Sequence, residues 1–492
     1  MLRESDDSRW RLEGRDQGPR HSLKGGAATV ARVALVAAMG LVPAGCVYAE
    51  GAREMDTGSG ELRSDDEAFA LVETTLVLRQ VDYQPAIYYD PGDPLPRLDQ
   101  DRVGWDRVVE VEHRAVVLRT QYVELTVLPR MGRVYRMVHR PTGHDVLWRN
   151  DIVRPGGGNN ATGWWLWIGG IEYTLPGDEH GTTFALPWTY CVLEDSPHRK
   201  AVRMEVTEPT TGLEERLDLS VYPGRADFET DIRIHNPGQD TARFAHWVNP
   251  MWTPGGRNEL TDRTEFIVPT ERILIEERWQ KNLGPSPQQW RGNPLRFIEN
   301  WRMGDIMADE LTAGFYSAYS HDEEEGVVRV FDPLATPGMD MWTYGFHPDG
   351  IPMGSGAANK GYAEMWGGTV ERFPHQRRPL GPGASLQWTE WMYAYQSTRG
   401  LSFAGRDLAA HSRLSPEGAE LEIALCPSRR LEAAVLEVRS SGRTLVRRRF
   451  GAAPESPWKT TVALEGQARD ILVRVEENGA ELGRWHCAPA ER

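Results

Sequence analysis

The stretch "ADFETDIRIH" alternates without a break: Phe228, Thr230, Ile232 and Ile234 fall on one side, Glu229, Asp231, Arg233 and His235 on the other. Successive side chains of a strand point to opposite faces, so this is the pattern of a sheet with one wet face. Similar β-rich segments recur in "VVEVEHRAVVLRT", "YVELTVLPRMGRVYRMVHRPTGHDVLW", "KAVRMEVTE", "TGLEERLDLSVYPG", "GVVRVFD" and "SLQWTEWMYAYQS", while helical periodicity is almost absent. So many strands bury their inner faces only by sheet-on-sheet packing or closure. An all-β chain is expected, with a large β-sandwich over residues 69–406. After Arg406 tryptophan becomes scarce, and short alternating segments joined by turn dipeptides predict a small immunoglobulin-like β-sandwich over 407–492. Between 273 and 310 the alternation lapses into a Pro-, Gly- and Trp-containing excursion, readable as a binding loop or as an insertion packed by its tryptophans.

The N-terminal region carries a different signal. Residues 25–42, "GGAATVARVALVAAMGLV", are small and aliphatic, follow basic residues and are too short in their uninterrupted apolar part to span a bilayer. Residues 1–45 are therefore expected to be a signal-peptide region. Cys46 in "LVPAGC" resembles the processing site of a bacterial lipoprotein, and the polar residues 46–68 read as a flexible tether. The expected location is outside the cytoplasm, as a periplasmic or outer-membrane lipoprotein anchored through a lipidated Cys46. The remaining cysteines, Cys191, Cys426 and Cys487, have no metal-binding spacing; Cys426 and Cys487 either pair or stay unpaired. A net charge of -15 argues against a nucleic-acid surface.

Chemistry is suggested by where the 18 tryptophans gather: "GWWLWIGG", "ALPWTY", "HWVNPMW", "DMWTYGFHP" and "AEMWGG". Flat rings with polar edges suit the C–H faces of sugar rings, so a carbohydrate partner is expected; a large sandwich also needs large core residues. Trp165, Trp167, Trp188, Trp247, Trp252, Trp342 and Trp366 are the candidate ring platforms, with Glu172, Asn249, Asp340 and His347 as polar substrate-binding residues. His180, His246 and Glu364 are the candidate catalytic residues, because an imidazole and a carboxyl group can move protons at two atoms of one substrate. No cofactor is expected. A divalent metal such as calcium, held by Glu179 and His180 with His246 or Glu364, or by the acidic run at 322–325, stays open as an alternative.

Four segments carry a family resemblance: "VELTVLPRMGRVYRMVHRPTGHDVLWRN", "GGIEYTLPGDEHG", "IRIHNPGQDTARFAHWVNPMW" and "GYAEMWGG". In order and content they resemble the galactose mutarotase-like β-supersandwich, and more narrowly the bacterial DUF5107 domain family. The resemblance implies that His180 holds a ring hydroxyl, that His246 protonates the ring oxygen and that Glu364 takes the proton of the anomeric hydroxyl. The same scaffold supports glycoside hydrolases and polysaccharide lyases, the latter needing a cation such as Arg130 or Arg133 opposite a uronate. An exported carbohydrate-active enzyme that cleaves glycosidic bonds is the leading expectation. An aldose 1-epimerase-like isomerase and a non-catalytic glycan-binding surface protein are the alternatives.

Overall fold

The computed structural model describes residues 68–487 except 159, 178, 348–350, 353–357, 360, 375 and 465–469. The expected signal region, Cys46 and the tether up to residue 67 lie outside the described residues. No helix among the described residues is long and apolar enough to cross a membrane.

Two sheets face one another across the main core. The larger has fourteen strands, and its central run is Arg302–Ala308, Gly338–Gly345, Ala363–Gly368, Trp247–Trp252, Ile171–Thr174, Arg133–His139 and Val123–Leu128. The other has eight, with Phe228–His235 between Glu214–Val221 and Ser385–Gln396. The alternation read from the sequence is realised there: Phe228, Ile232 and Ile234 are buried in the core while Glu229, Asp231, Arg233 and His235 are half-buried. From the larger sheet, Val134, Ile171, Tyr173, Val248, Trp252, Met341 and Met365 point into the same core. Their sequence neighbours on these strands therefore point to the opposite face of the sheet.

The excursion at 273–310 is a packed insertion that widens the large sheet. Arg272–Leu274 and Gln288–Gln289 extend it beyond Arg302–Ala308, a short helix spans Glu277–Leu283, and Trp290 and Trp301 are buried in the main core. The C-terminal part forms two further four-stranded sheets. Leu408, Leu421, Ile423, Leu436, Val473 and Trp485 fill the space between them, so the expected small immunoglobulin-like sandwich follows the large one. Cys426 and Cys487 are not joined by a disulfide, and Cys426 is buried beside Tyr393 and Tyr395 where the two sandwiches meet. Burial pushes the Cys426 thiol up to about 12, so it stays protonated and inert at neutral pH.

One buried charge pair joins neighbouring strands of the eight-stranded sheet and packs against the larger one. Arg329, fully buried on the Glu325–Val330 strand, donates Nε to Glu390 Oε2 at 2.7 Å and Nη1 to the Tyr316 hydroxyl at 2.8 Å, and its Nη2 pairs with Glu390 Oε1. It fits because it lies against Gly367, and the neighbouring Gly368 accepts the face of Trp247. A Cβ at 368 would come within 2.3 Å of Trp247 Cδ2, which explains why "AEMWGG" ends in two glycines. Gly368→Ala should cost about 1–3 kcal/mol in urea denaturation through overpacking. Gly157→Ala, where a Cβ meets nothing within 4 Å, should change stability by about 0.5 kcal/mol or less.

Candidate functional site

The face of the large sheet turned away from the core carries a row of polar and aromatic side chains set by strand register. Glu172 lies opposite Asn249, the register of the next pair puts Asn249 opposite Trp366, and Trp366 lies opposite Asp340. One row along, Met251 opposes Glu364, Glu364 opposes Trp342 and Trp342 opposes Asp305. Residues from strands far apart in sequence thus converge on one patch, because directly opposed side chains on a sheet face are neighbours.

Three charged groups form its first half. Arg133 places Nη2 3.0 Å from Glu172 Oε1 and donates Nη1 to the Gly169 carbonyl at 2.6 Å. Glu172 Oε2 lies 2.9 Å from His180 Nδ1. All three are buried. His180 comes back over Glu172 because the chain folds onto the end of the Ile171–Thr174 strand. Thr182 N–H donates to the Leu175 carbonyl at 2.8 Å, and the Asn160 amide donates to the Gly181 carbonyl at 3.0 Å. His180 itself sits at φ 59°, a left-handed conformation that costs a non-glycine residue about 1 kcal/mol and tends to persist where a side chain must be aimed. Its ring stacks on Trp165 with centroids 4.2 Å apart and planes 4° apart, and meets the edge of Trp366 at 5.4 Å.

Glu364 is the centre of the second half. Its Oε2 accepts from Trp366 Nε1 at 3.0 Å and Asn249 Nδ2 at 3.1 Å, and its Oε1 accepts from the Tyr362 hydroxyl at 3.1 Å. Tyr362 is fixed in turn by Trp167 Nε1 at 2.9 Å and by stacking on Trp148 at 4.2 Å. Half-buried Trp165, Trp342, Tyr344 and Glu179 border the patch.

The electrostatics separate these groups. Burial works against the Glu172 carboxylate, but Arg133 and His180 outweigh it and hold its pKa below the ordinary value. Burial likewise pushes the His180 imidazole down, and the Glu172 charge outweighs that and raises it overall. Glu364 has only neutral donors beside it, so burial prevails and pushes it up to about 7. Asp340 is raised well above its usual range by burial and by Asp305, Glu276 and Glu364, and Asp305 is itself pushed up to about 7. The patch thus holds an imidazole raised above its ordinary value, a carboxyl group able to gain or lose its proton near neutrality, and an Asp340 held well above the usual carboxylate range: the ingredients of acid–base chemistry.

Several residues singled out from the sequence lie elsewhere. His246 shares its parity with Val248 and Trp252 and points into the core between the sheets. There its Nε2 lies 2.8 Å from Glu215 Oε1 on the eight-stranded sheet and its ring meets the edge of Trp388 at 5.2 Å. It is a buried structural histidine on the opposite face from Glu364. Trp188 and Trp252 also belong to the main core, Trp188 donating Nε1 to the Thr183 carbonyl at 3.0 Å and Trp252 packing on Tyr316 at 5.8 Å. Trp247 is fully buried behind Trp366, against Phe373. His347 bonds the Tyr344 carbonyl at 3.1 Å at the border of the patch. Arg133, considered as a partner for a uronate, is already engaged by Glu172. Residues the sequence reading missed are Tyr362, Tyr344, Asp305 and the role of Arg133 as a clamp. Tyr362 could have been found, since it lies two residues before Glu364 and so on the same strand face.

No group of three or more His, Cys, Asp or Glu among the described residues could hold a metal ion. At the acidic hairpin, Asp322 and Glu323 pair with Arg263 and Arg257, and Glu325 is buried between His139 and His144.

Comparison with known proteins places this architecture. A model described as "Domain of unknown function (DUF5107)" matches residues 103–393. The chain belongs to the DUF5107 family. Its large domain is a two-sheet β-sandwich, and residues 404–485 match a model described as the second domain of YphG-like protein. Among solved structures, a TPR-domain containing protein from Parabacteroides distasonis aligns with a TM-score of 0.55 and 18% identity over 66% of this chain; the match spans 55% of that protein's length. A galactose mutarotase-like protein from Clostridium acetobutylicum aligns at 0.43 and 11%, over 60% of this chain and 97% of that one. A galactose mutarotase related enzyme from Lactobacillus acidophilus aligns at 0.41 and 12%, over 57% and 97%.

The corrected role of His246 has a direct consequence for this DUF5107 protein. His246→Ala strands the Glu215 carboxylate in the core and should cost about 3–5 kcal/mol in chemical denaturation. The double change His246→Leu with Glu215→Leu should recover most of that loss.

Proposed function

We propose that the patch around Glu364 and His180 is the active site of a carbohydrate-active enzyme that opens and recloses the ring of an aldose, in the manner of an aldose 1-epimerase. The observation that carries this is the pairing of a buried carboxyl group poised near neutrality with a buried imidazole held above its ordinary pKa, on one aromatic-bordered sheet face. Ionised Glu364 takes the proton of the anomeric hydroxyl. Protonated His180 gives its proton to the ring oxygen, the C1–O5 bond breaks, and an open-chain aldehyde forms. Rotation about C1–C2 presents the other carbonyl face, and the two proton transfers run in reverse. The proton donor assigned to His246 from the sequence is thereby replaced by His180. Arg133 and Glu172 act as positioning residues that keep His180 charged, and Asn249, Tyr362 and Trp366 keep Glu364 aimed. The chemistry needs no cofactor.

A second reading, cleavage of glycosidic bonds, has one specific support: Asp340, a buried protonated acid, lies close enough to Glu364 to feel its charge. Hydrolysis uses such a pair, one carboxyl group as acid and one as base or nucleophile. Exported location and a polysaccharide substrate belong with this reading.

Polarimetry with a panel of free aldoses tests the first reading. The rate should rise with pH through about 7 as Glu364 ionises, and fall again once His180 loses its proton. Glu364→Gln should lose about 100-fold or more, and Asp340→Asn much less. No acceleration of any aldose, with new reducing ends released from a polysaccharide and lost in Asp340→Asn, would favour the hydrolytic reading; an unchanged rate in Glu364→Gln would refute both.

A further inference from the structure

A second hollow lies well away from this patch, where the outer face of the C-terminal sheet emerges from its contact with the large sandwich. At that contact Ala409 and Cys426 pack against Tyr319, Tyr393 and Tyr395. Further along the same face, register sets His411 beside Ala424 and Lys459, and Arg413 beside Glu422 and Thr461. The turn at Thr398 and Arg399 closes the other side, fixed by the Arg399 N–H donating to the Tyr319 hydroxyl at 2.9 Å. Together they enclose about 280 Å³, near the lower end of the roughly 300–1,000 Å³ typical of small-ligand sites.

The charge of this hollow runs against that of the whole chain. Arg399, Arg413 and Lys459 face a single carboxylate, Glu422, and burial pushes His411 down to about 4, so it is neutral at pH 7. Glu422 is taken up by Arg413 at 3.1 Å, Arg399 reaches Glu324 only at 3.9 Å, and Lys459 has no ion-pair partner among the described residues. With Glu422 and Glu324 both counted against the three cations, Lys459 is left as an excess positive charge in a chain of net charge -15, a local field that attracts an anion. The cations stand at the rim on exposed stems, while Ala424 and the His411 ring line the floor. Guanidinium and ammonium groups over a small, partly apolar floor suit one oxyanion group on a compact body.

We propose that this hollow binds an oxyanion, a carboxylate or sulfate, either free or carried on a single sugar residue. The site is independent of the Glu364 patch and does not rest on the reaction assigned there.

Calorimetric titration of the full chain with sodium sulfate, glucuronate and glucose, at fixed ionic strength, tests it. Both anions should bind with heat that depends on Lys459, and any heat from neutral glucose, which belongs to the Glu364 patch, should be the same in Lys459→Ala. Glucuronate binding more tightly than sulfate would identify a sugar-borne group; equal affinities would identify the free anion. Lys459→Ala should weaken binding about fivefold or more, and Glu422→Gln, which frees Arg413, should tighten it about threefold. Both substitutions are at solvent-exposed side chains and leave the fold intact. Absence of heat from either anion, glucose binding that is weakened in Lys459→Ala, or anion affinities unchanged in both variants would overturn the proposal.

Discussion

A carboxylate clamped between two cations governs the candidate site. Glu172 is buried, and a lone carboxylate there would shed its charge or unfold its surroundings. Arg133 on one side and His180 on the other hold it ionised. That fixed negative charge keeps a buried imidazole protonated, which burial alone would forbid. Glu364, two strands further along the sheet, has only the neutral Asn249, Tyr362 and Trp366 as donors, so burial sets its pKa near neutrality. The contrast between a carboxylate with cations and a carboxyl group without them produces an acid and a base on one surface.

The sheet makes that contrast geometrically exact enough to use. Glu172, Asn249, Trp366 and Asp340 come from four neighbouring strands yet line up because a ladder admits only one register for a buried face. Behind them, Tyr173, Val248 and Met365 fill the core and stop the strands from slipping. The Arg329–Glu390 pair and the two glycines after Trp366 let the sheets approach closely at the point where the site is carried.

Much of this was legible in the sequence because it is local. Alternation in "ADFETDIRIH" revealed a one-sided strand, and the segments holding Glu172, His180, Asn249, Trp366 and Glu364 drew attention through charged and polar residues set beside Trp and Gly. What failed was the choice of face. His246 and Asn249 lie three residues apart on one extended segment and so point to opposite sides; both lie in one Trp-rich segment, and only the partner across the core, Glu215, shows which side is which. Trp188 and Trp252 were misplaced for the same reason. Asp305 was invisible because its strand lies in the excursion where alternation lapses, and the pairing that brings it opposite Trp342 is set by distant strands. Arg133 was visible as a cation but not as a clamp, since its partner sits 39 positions later on another strand.

The charge state of His180 tests the central claim most directly. NMR titration of histidine-labelled protein, with His180 assigned by its absence in His180→Asn, should show that ring titrating above the ordinary histidine range of about 6.5. In Glu172→Gln it should fall markedly, because the largest effect opposing burial is then gone and only the weaker pull of Glu364 and Glu179 remains. A His180 that titrates below the ordinary value in the unaltered protein, or does not move when Glu172 loses its charge, would contradict the view that this ion chain creates the acid of the site.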